Sequence, residues 1–382
     1  VRGAFALSRP PGHHAGAVLV IGFSVGHVLA LPGTDSASAR LAEWARDHHL
    51  NFAVTYLEKV DYSLNKPKAG GVPSGGIPKA AAAVPSAPPA VKTVAHTATP
   101  KPVTVVAGAP LPGEGTWQTV VASKGLPAVR VAYIRPDTTH TSYLTGIMWL
   151  DPKLLKARFH PGFQDPGGIW ATPTFITPSL RPQVDASFNG GFRLNGAARG
   201  GIYLEGKTVK PLRAGAASLV VYSDGHADVG AWGQGVTMTP QVAAVRQNLD
   251  MLIENGTVNR TCSDANSPVW GYTLGNVSYV WRSGFGITRD GAAVYVAGNA
   301  LSVCSLGHVM AAAGIVRGME MDINPEWTTG IYYTHPGASS GATGTNGVGP
   351  AVPHKLSPTQ AQTADRYFTT QSRDFFAWYE RP

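Results

Sequence analysis

Short apolar stretches separated by turn-forming residues dominate the chain after residue 113. Residues 219–232 and 284–297 each hold two apolar stretches around a short turn that contains aspartate and glycine. This arrangement is typical of a β-hairpin. A third hairpin is predicted over residues 202–212, where the pattern turns at Glu205 and Gly206.

Helical spacing of apolar residues is found in two places between these hairpins. A Thr-Pro pair opens one segment, which predicts a helix over residues 241–253. A second helix is predicted to begin at Ser302 or Ser305 and to end at Ala313, and residues 315–323 form a predicted buried strand. Hairpins mixed with a few helices predict an α+β fold class, with mixed β-sheets packed against the helices.

An apolar stretch over residues 15–31 follows the basic residues Arg2 and Arg9. A membrane-spanning helix needs about 20 apolar residues, so this stretch is slightly short. Positive charges ahead of it would hold the N-terminus in the cytoplasm and export the rest of the chain. We therefore predict that residues 1–35 are an uncleaved membrane anchor of an extracytoplasmic protein; the alternative is a cleaved signal segment and a secreted protein.

Three further regions follow the predicted anchor. Residues 36–65 have mixed helical spacing and predict a juxtamembrane helix. Residues 66–112 are rich in proline and alanine and have no acidic residue, which predicts a disordered linker. Residues 113–382 form the predicted catalytic-type domain.

Charge and cysteine content narrow the classes of function. The formal net charge is +8, but most of the positive excess precedes residue 113, so we expect no nucleic-acid partner. The two cysteines, Cys262 and Cys304, would form a disulfide in an exported domain; the alternative is two separate buried thiols. No CxxC pair is present, and we predict no metal site.

Two polar clusters in apolar, glycine-rich settings are candidates for ligand binding. Asn189 precedes Gly190 and Gly191, and Arg199 precedes a second glycine pair, so backbone and amide could approach a ligand closely. The alternative for Asn189 is a turn. Arg282 opens an apolar strand, where a guanidinium is unfavourable unless it is paired with a carboxylate or binds an anion such as a phosphodiester.

A third cluster contains two carboxylates. Glu320, Asp322 and Asn324 fall on one face of the strand predicted over residues 315–323 and its extension. Carboxylates in an apolar strand are unfavourable as structure but useful as catalysts. Their separation fits both the retaining and the inverting mechanism of glycoside hydrolysis, so it leaves the stereochemical outcome open.

These clusters, in this order, resemble the phosphodiester glycosidase family over residues 115–335. The similar features are FNGGF at residues 188–192, LIENG at 252–256 and the RSGFGI strand at 282–287. The anchor and linker are similar to an actinobacterial-type, membrane-anchored branch. The chain departs from the family after Asp322, where Ile-Asn-Pro replaces a run of glycines.

The resemblance implies a hydrolase that cleaves the linkage between anomeric carbon and phosphate in a sugar-1-phosphate diester of a cell-envelope glycan. Its partner would be a phosphorylated glycan or glycoconjugate. Asp322 or Glu320 would be the base or nucleophile, and Arg282 would neutralise the phosphate. Asn189 and Asn255 would bind sugar hydroxyls.

His335, Arg199 and Asn324 complete the predicted substrate-binding set, which is expected to need no cofactor. A divalent cation bridging Asp322 and phosphate is an alternative. Three alternatives stay open: a non-catalytic protein that binds cell-wall glycan, a glycoside hydrolase that acts on a plain glycosidic bond, and a purely structural envelope protein. Mutual pairing of Asp322, Glu320 and Arg282 with no adjacent cavity would favour the last.

Overall fold

The computed structural model describes residues 12–81, 95–264, 268–271, 278–336 and 350–382, with residues 12–19 and 268 described by their backbone alone. Arg2, Arg9 and residues 82–94 of the predicted linker therefore lie outside the described residues. Within them the α-helices are α1 (Gly12–Leu29), α2 (Ala37–Asp47), α3 (Asn51–Asn65) and α4 (Val303–Ala312). Short 3-10 helices cover Arg181–Gln183, Arg260–Ser263, Pro268–Trp270 and Arg366–Phe368.

The described strands form three antiparallel sheets, which together with the helices confirms the predicted α+β fold class. The central sheet has the order β1 (Gln118–Ser123), β2 (Leu126–Ile134), β3 (Thr145–Leu150), β14 (Ala293–Leu301), β13 (Val280–Thr288), β15 (Ile315–Glu320), β11 (Met251–Glu254) and β12 (Thr257–Val258). A second sheet has the order β7 (Lys207–Lys210), β6 (Ile202–Leu204), β10 (Val242–Gln247), β8 (Ala217–Tyr222) and β9 (Ala227–Ala231). The third has the order β17 (Val352–Lys355), β16 (Gly330–Thr334), β5 (Val184–Asn189), β18 (Phe375–Glu380) and β4 (Leu155–His160).

Aromatic packing joins the third sheet to the central one. The ring of Phe188 on β5 stacks on Phe285 of β13 at 5.1 Å and on Tyr295 of β14 at 4.7 Å between centroids. All three side chains are buried, and aromatic pairs at this spacing stabilise a core beyond the area they bury. This contact brings the ends of β5 and β13 together, and β15 pairs with β13 at the same place.

Glycines in β13 allow helix α4 to pack closely on the central sheet. A Cβ atom at Gly284 would lie 2.5 Å from the sulfur of Met310 on α4. Ser302 caps α4, and its hydroxyl accepts a hydrogen bond from the backbone N–H of Ser305 at 3.1 Å. The predicted helix ending at Ala313 is therefore confirmed, as are the three predicted hairpins. The strand predicted over residues 315–323 begins at Ile315 but ends at Glu320, so Asp322 and Asn324 lie beyond it.

The helix predicted over residues 241–253 is wrong. This segment forms β10 and β11, and Ala244 and Val245 pair with β6 on one side and β8 on the other. Leu249, at φ 59°, turns the chain between the two strands. Hydrogen bonding to two neighbouring strands outweighs the helical spacing of the apolar side chains, which is only a weak local preference.

The N-terminal region contains α2 and α3 where one helix was predicted. Within the residues described, no helix is both long enough and apolar enough to cross a bilayer. The anchor over residues 1–35 and the boundaries of the regions that follow it stay predictions.

The described parts of the predicted linker lie along the domain. The backbone N–H of Ala80 donates to the Gln118 side chain at 2.9 Å, and that of Thr97 donates to the carboxylate of Asp151 at 2.7 Å. Val103 is buried in the main core, and its N–H donates to the carbonyl of Gly115 at 2.9 Å. Residues 66–81 and 95–112 contain no helix or strand, which agrees with a linker. Their hydrogen bonds nevertheless attach them to the domain.

Candidate active site

Asp322 follows the end of β15 and is held there by β13. Its backbone N–H donates to the hydroxyl of Ser283 at 3.1 Å, and its carbonyl accepts from the N–H of Ser283 at 2.8 Å. Asn248 supports the same turn, since its side-chain amide donates to the carbonyls of Glu320 and Met321 at 2.8 and 2.9 Å. Two strands and one side chain therefore fix the position of the Asp322 carboxylate.

The carboxylate of Asp322 is buried but well hydrogen-bonded. One oxygen accepts from the N–H groups of Ile323 and Asn324 at 2.8 and 3.1 Å, and the other forms an ion pair with Arg373 at 3.1 Å. Burial raises the pKa of Asp322 to about 6, although Arg373 and the two N–H groups act in the opposite direction. Such a carboxylate is ionised at neutral pH and can accept a proton near it.

Arg373 is held between Asp322 and an aromatic ring. Its guanidinium donates to the carbonyl of Gly191 at 2.9 Å, and it lies 4.6 Å from the ring centroid of Trp327. Burial tends to lower the pKa of Arg373, but nearby carboxylates, Asp322 first among them, outweigh it and raise the pKa. The side chain is therefore a fixed cation at the site.

Asp322, Arg373 and Trp327 line a cavity of about 440 Å³, which is within the usual size of a small-molecule site. Its walls also contain the aromatic and polar side chains of Phe192, Arg193, Tyr279, Trp281 and Asn324. Four carboxylates, three guanidinium groups and several aromatic rings thus line one space.

Helices α2 and α3 form the remaining wall of this cavity. Glu43 on α2 forms an ion pair with Arg193 at 2.6 Å and lies 4.0 Å from Arg373. Asp47, one turn further along α2, also pairs with Arg193, at 3.0 Å. Tyr62 on α3 accepts a hydrogen bond from the N–H of Tyr279 at 3.0 Å. Carboxylates of α2 therefore lie against Arg193 and Arg373, and Glu43 also pairs at 3.3 Å with Arg46, a third arginine of the cavity lining.

The structure separates Glu320 and Arg282 from the cavity, although both were predicted to act on the substrate. Their side chains form an ion pair at 2.6 Å in the interior, and Arg282 also donates to the carbonyl of Leu301 at 2.9 Å. Burial raises the pKa of Glu320, and Arg282 opposes that shift. Both side chains are fully buried, so this pair belongs to the core, and Arg373 occupies the place expected of Arg282.

Asn189 lies behind Asp322 and links the two sheets. Its side-chain oxygen accepts from the Tyr295 hydroxyl at 2.6 Å and from the N–H of Thr329 at 3.1 Å, and its amide donates to Ser283 at 3.2 Å. Because Ser283 holds the backbone of Asp322, Asn189 positions the site, and its side-chain oxygen and amide are hydrogen-bonded within the protein.

The glycine pair after Asn189 makes room for a carboxylate of the protein itself. A Cβ atom at Gly190 would lie 1.5 Å from an oxygen of Asp374, which forms a buried ion pair with Arg246 at 2.7 Å. The close approach that the FNGGF motif predicts is therefore an internal contact.

Of two further predicted substrate-binding residues, Asn324 lines the cavity and Arg199 does not. Asn324 lines the cavity, and its side-chain oxygen accepts from the N–H of Glu326 at 2.8 Å. Arg199 is half-buried outside the cavity lining, and its carbonyl accepts from the guanidinium of Arg213 at 2.6 Å.

Asn255 and His335 lie far from Asp322. Asn255 is exposed in the turn between β11 and β12, beside the start of β15, which is roughly 20 Å along the strand from Asp322. His335 contacts Asp185 at 3.2 Å near the start of β5, roughly 13 Å along that strand from Asn189. Neither placement fits the predicted role.

Cavity residues that were missed from the sequence include Arg373, Arg193, Trp327 and Glu43. Arg373 lies just before the apolar strand β18, and the same kind of position at the opening of an apolar strand had singled out Arg282. Glu43 lies in a segment that was predicted to be a juxtamembrane helix, and nothing in its local sequence connects it to a site in the domain.

Cys262 and Cys304 form a disulfide, as predicted. It links the 3-10 helix Arg260–Ser263 to α4. Among the side chains that the structure describes, no group of three or more His, Cys, Asp or Glu residues is arranged to hold a metal ion.

Comparison with known proteins shows only distant likenesses. No family model and no curated protein sequence matches the chain. The catalytic domain of zebrafish N-acetylglucosamine-1-phosphodiester alpha-N-acetylglucosaminidase, auto-inhibited by its pro-peptide, is a similar solved structure, with 15% identity and a TM-score of 0.42 over 70% of this chain and 89% of that one. A hypothetical protein from Synechocystis is 9% identical, with a TM-score of 0.36 over 72% of this chain and 64% of that one.

Proposed function

We propose that the protein is a glycosidase-type hydrolase that cleaves the bond between anomeric carbon and phosphate in a sugar-1-phosphate diester. The observation that carries the proposal is the placement of Asp322 at the cavity, with its carboxylate fixed and paired to Arg373. The sequence motifs that resemble phosphodiester glycosidases support the same chemistry.

Asp322 would act in its ionised form. It either attacks the anomeric carbon or removes a proton from the water that attacks, and in both cases the bond from that carbon to the phosphate oxygen breaks. The electron pair of that bond leaves with the phosphate, which is a weak base and needs no strong general acid. Water supplies the hydroxyl of the free sugar, and the other product is a phosphomonoester.

Arg373 and Arg193 would bind the phosphate. Guanidinium groups match phosphate oxygens through parallel hydrogen bonds, and both arginines line the cavity next to Asp322. The carboxylate of Glu43 lies 2.6 Å from Arg193 and 4.0 Å from Arg373, which supports an anionic group at this position. The aromatic rings of Trp281, Trp327 and Phe192 offer apolar faces for a sugar ring.

An extracytoplasmic location and a cell-envelope glycan as the source of the substrate belong to the same proposal. The disulfide between Cys262 and Cys304 supports them, because disulfides persist in oxidising compartments and are rare in the cytosol.

The proposal is tested with a panel of sugar-1-phosphate diesters and matched aryl glycosides. We expect free sugar and phosphomonoester from at least one diester, measured by phosphatase-coupled release of inorganic phosphate. Turnover of the aryl glycosides alone would show that the protein hydrolyses plain glycosidic bonds. Saturable binding of the diesters without turnover would assign it to glycan binding.

The pH dependence follows from the raised pKa of Asp322. Because burial raises this pKa to about 6, the reactive ionised form is lost as the pH falls through 6. We expect kcat/KM to fall about tenfold per pH unit below pH 6 and to level off above about pH 7. Arg373 lowers this pKa, so an Arg373→Met variant should show its inflection at higher pH. Activity that increases below pH 6 would contradict the role as base or nucleophile.

Glu43 should compete with an anionic substrate group. A Glu43→Gln variant removes the carboxylate from Arg193 and Arg373, so we expect KM for the diester to fall. The loss of one partly exposed ion pair, worth about 1 kcal/mol, corresponds to a decrease of about fivefold. The matched control is Glu58→Gln, which lines the same cavity and, like Glu43, pairs with Arg46, but forms no ion pair with Arg193 or Arg373 in the described structure. An unchanged or higher KM in Glu43→Gln would contradict the placement of the phosphate.

A further inference from the structure

Helix α3 has an exposed apolar stripe on its outer side. Phe52, Tyr56 and Leu64 are 73%, 67% and 78% exposed, and Leu57 is 65% exposed. Positions 52, 56, 60 and 64 follow each other at four-residue spacing, and Val60 is also apolar and exposed, so the stripe runs along one face of the helix. Large apolar side chains in such a contiguous patch mark a contact surface.

The inner side of the same helix forms the wall of the cavity. Val54 is buried, and Glu58, Asp61 and Tyr62 line the cavity. Asp61 and Asn65 are exposed while they line it, so the cavity reaches the surface within one turn of Leu57 and Leu64. One helix therefore places an apolar surface and the rim of the candidate active site side by side.

Charge is distributed unevenly around α3. Both of its acidic residues, Glu58 and Asp61, are on the cavity side. Lys59 and Lys66 are exposed and lie two turns apart along the other edge of the apolar stripe. An apolar face bordered by lysines complements a bilayer with anionic headgroups, because the stems pack on the apolar surface and the ammonium groups reach the phosphates.

A second exposed apolar surface belongs to the same helical unit. In α1, Val20, Ile21 and Phe23 are 69%, 53% and 81% exposed. The helix is attached to α2, since the indole N–H of Trp44 donates to the hydroxyl of Ser24 at 2.9 Å. Two of the three N-terminal helices thus present apolar side chains to the outside, as an interfacial attachment requires.

We propose that α3 lies in the surface of an anionic lipid bilayer and that the cavity beneath it takes a membrane-borne sugar phosphodiester. The evidence for the bilayer contact is the exposed apolar stripe of α3 and the lysines along its edge. The substrate class rests in addition on the proposed function. A lipid-linked substrate would then reach Asp322 from the rim at Asp61 and Asn65 without leaving the membrane.

The bilayer contact is tested by co-sedimentation of the full chain with vesicles of phosphatidylcholine, with and without one quarter phosphatidylglycerol. We expect tighter binding to the anionic vesicles, weakened by salt. A variant with Phe52→Ser, Leu57→Ser and Leu64→Ser should lower the partition constant at least about tenfold. The matched control, Ile169→Ser with Met238→Ser, changes exposed apolar residues of the domain and should bind as the wild type.

Two outcomes would overturn the bilayer contact. Equal binding by the triple variant and the wild type would show that α3 does not touch lipid. Wild-type dimers that the triple variant abolishes, together with an absence of vesicle binding, would assign the stripe to a second copy of this chain.

The substrate class is tested with one sugar phosphodiester in two forms, lipid-linked in the anionic vesicles and water-soluble. The triple variant should lose at least about tenfold in kcat/KM on the vesicle form and keep its rate on the soluble form. An equal effect on both forms would contradict presentation at the membrane. If the wild type turns over neither form, the proposed function fails while the vesicle-binding result stands by itself.

Discussion

An Asp322→Asn variant is expected to lose turnover of the sugar-1-phosphate diester by about a thousandfold or more. The amide neither attacks carbon nor accepts a proton, but its oxygen keeps the shape of the carboxylate and still accepts from the N–H groups of Ile323 and Asn324. The fold should therefore persist. Initial rates at saturating substrate measure the loss, and thermal unfolding checks the fold.

Asp250→Asn is the matched control for this variant. It makes the same chemical change in a half-exposed ion pair with Arg213 at 2.6 Å, outside the cavity lining. Its turnover should equal that of the wild type. Wild-type turnover in Asp322→Asn would remove Asp322 from the chemistry, and equal losses in the two variants would point to a general effect on the protein.

An Arg282→Met variant is expected to lower the free energy of unfolding by about 3–5 kcal/mol. Removal of the guanidinium leaves the carboxylate of Glu320 buried without its counter-ion, in a place where water cannot replace it. Chemical denaturation measures the change. This effect is one of stability, in contrast to the loss of turnover that a phosphate-binding arginine would show.

The double variant Arg282→Met with Glu320→Leu separates these explanations. An apolar pair of similar volume should recover most of the lost stability, because neither charge is then left alone in the core. Its turnover should be close to that of the wild type. A stable Arg282→Met protein without turnover would instead return Arg282 to the active site.

Local sequence patterns identified the hairpins and α4 but contained no information on non-local pairing. The β8–β9 and β13–β14 hairpins are set by nearby residues, and so is α4, whose cap at Ser302 and stop at Gly314 are readable in the sequence. The segment 241–253 has helical spacing, yet it pairs with β6 and β8 in the second sheet. That pairing depends on residues up to 44 positions away, as in Arg246 with Ile202, which a local pattern does not contain.

The candidate site was predictable only where its residues share one strand end. Asp322 and Asn324 follow the same strand, and both line the cavity. Arg373 and Glu43 come from distant parts of the chain, so only the folded structure brings them to Asp322. Arg282 and Arg373 both adjoin apolar strands, and burial alone distinguishes the core ion pair from the cation of the cavity.

The most direct test of the central claim is hydrolysis of a sugar-1-phosphate diester in water enriched in oxygen-18. If Asp322 directs attack to the anomeric carbon, the phosphomonoester keeps its original oxygens, and mass spectrometry finds it without label. A phosphomonoester that carries one oxygen-18 would show attack at phosphorus and would contradict the assignment as a glycosidase.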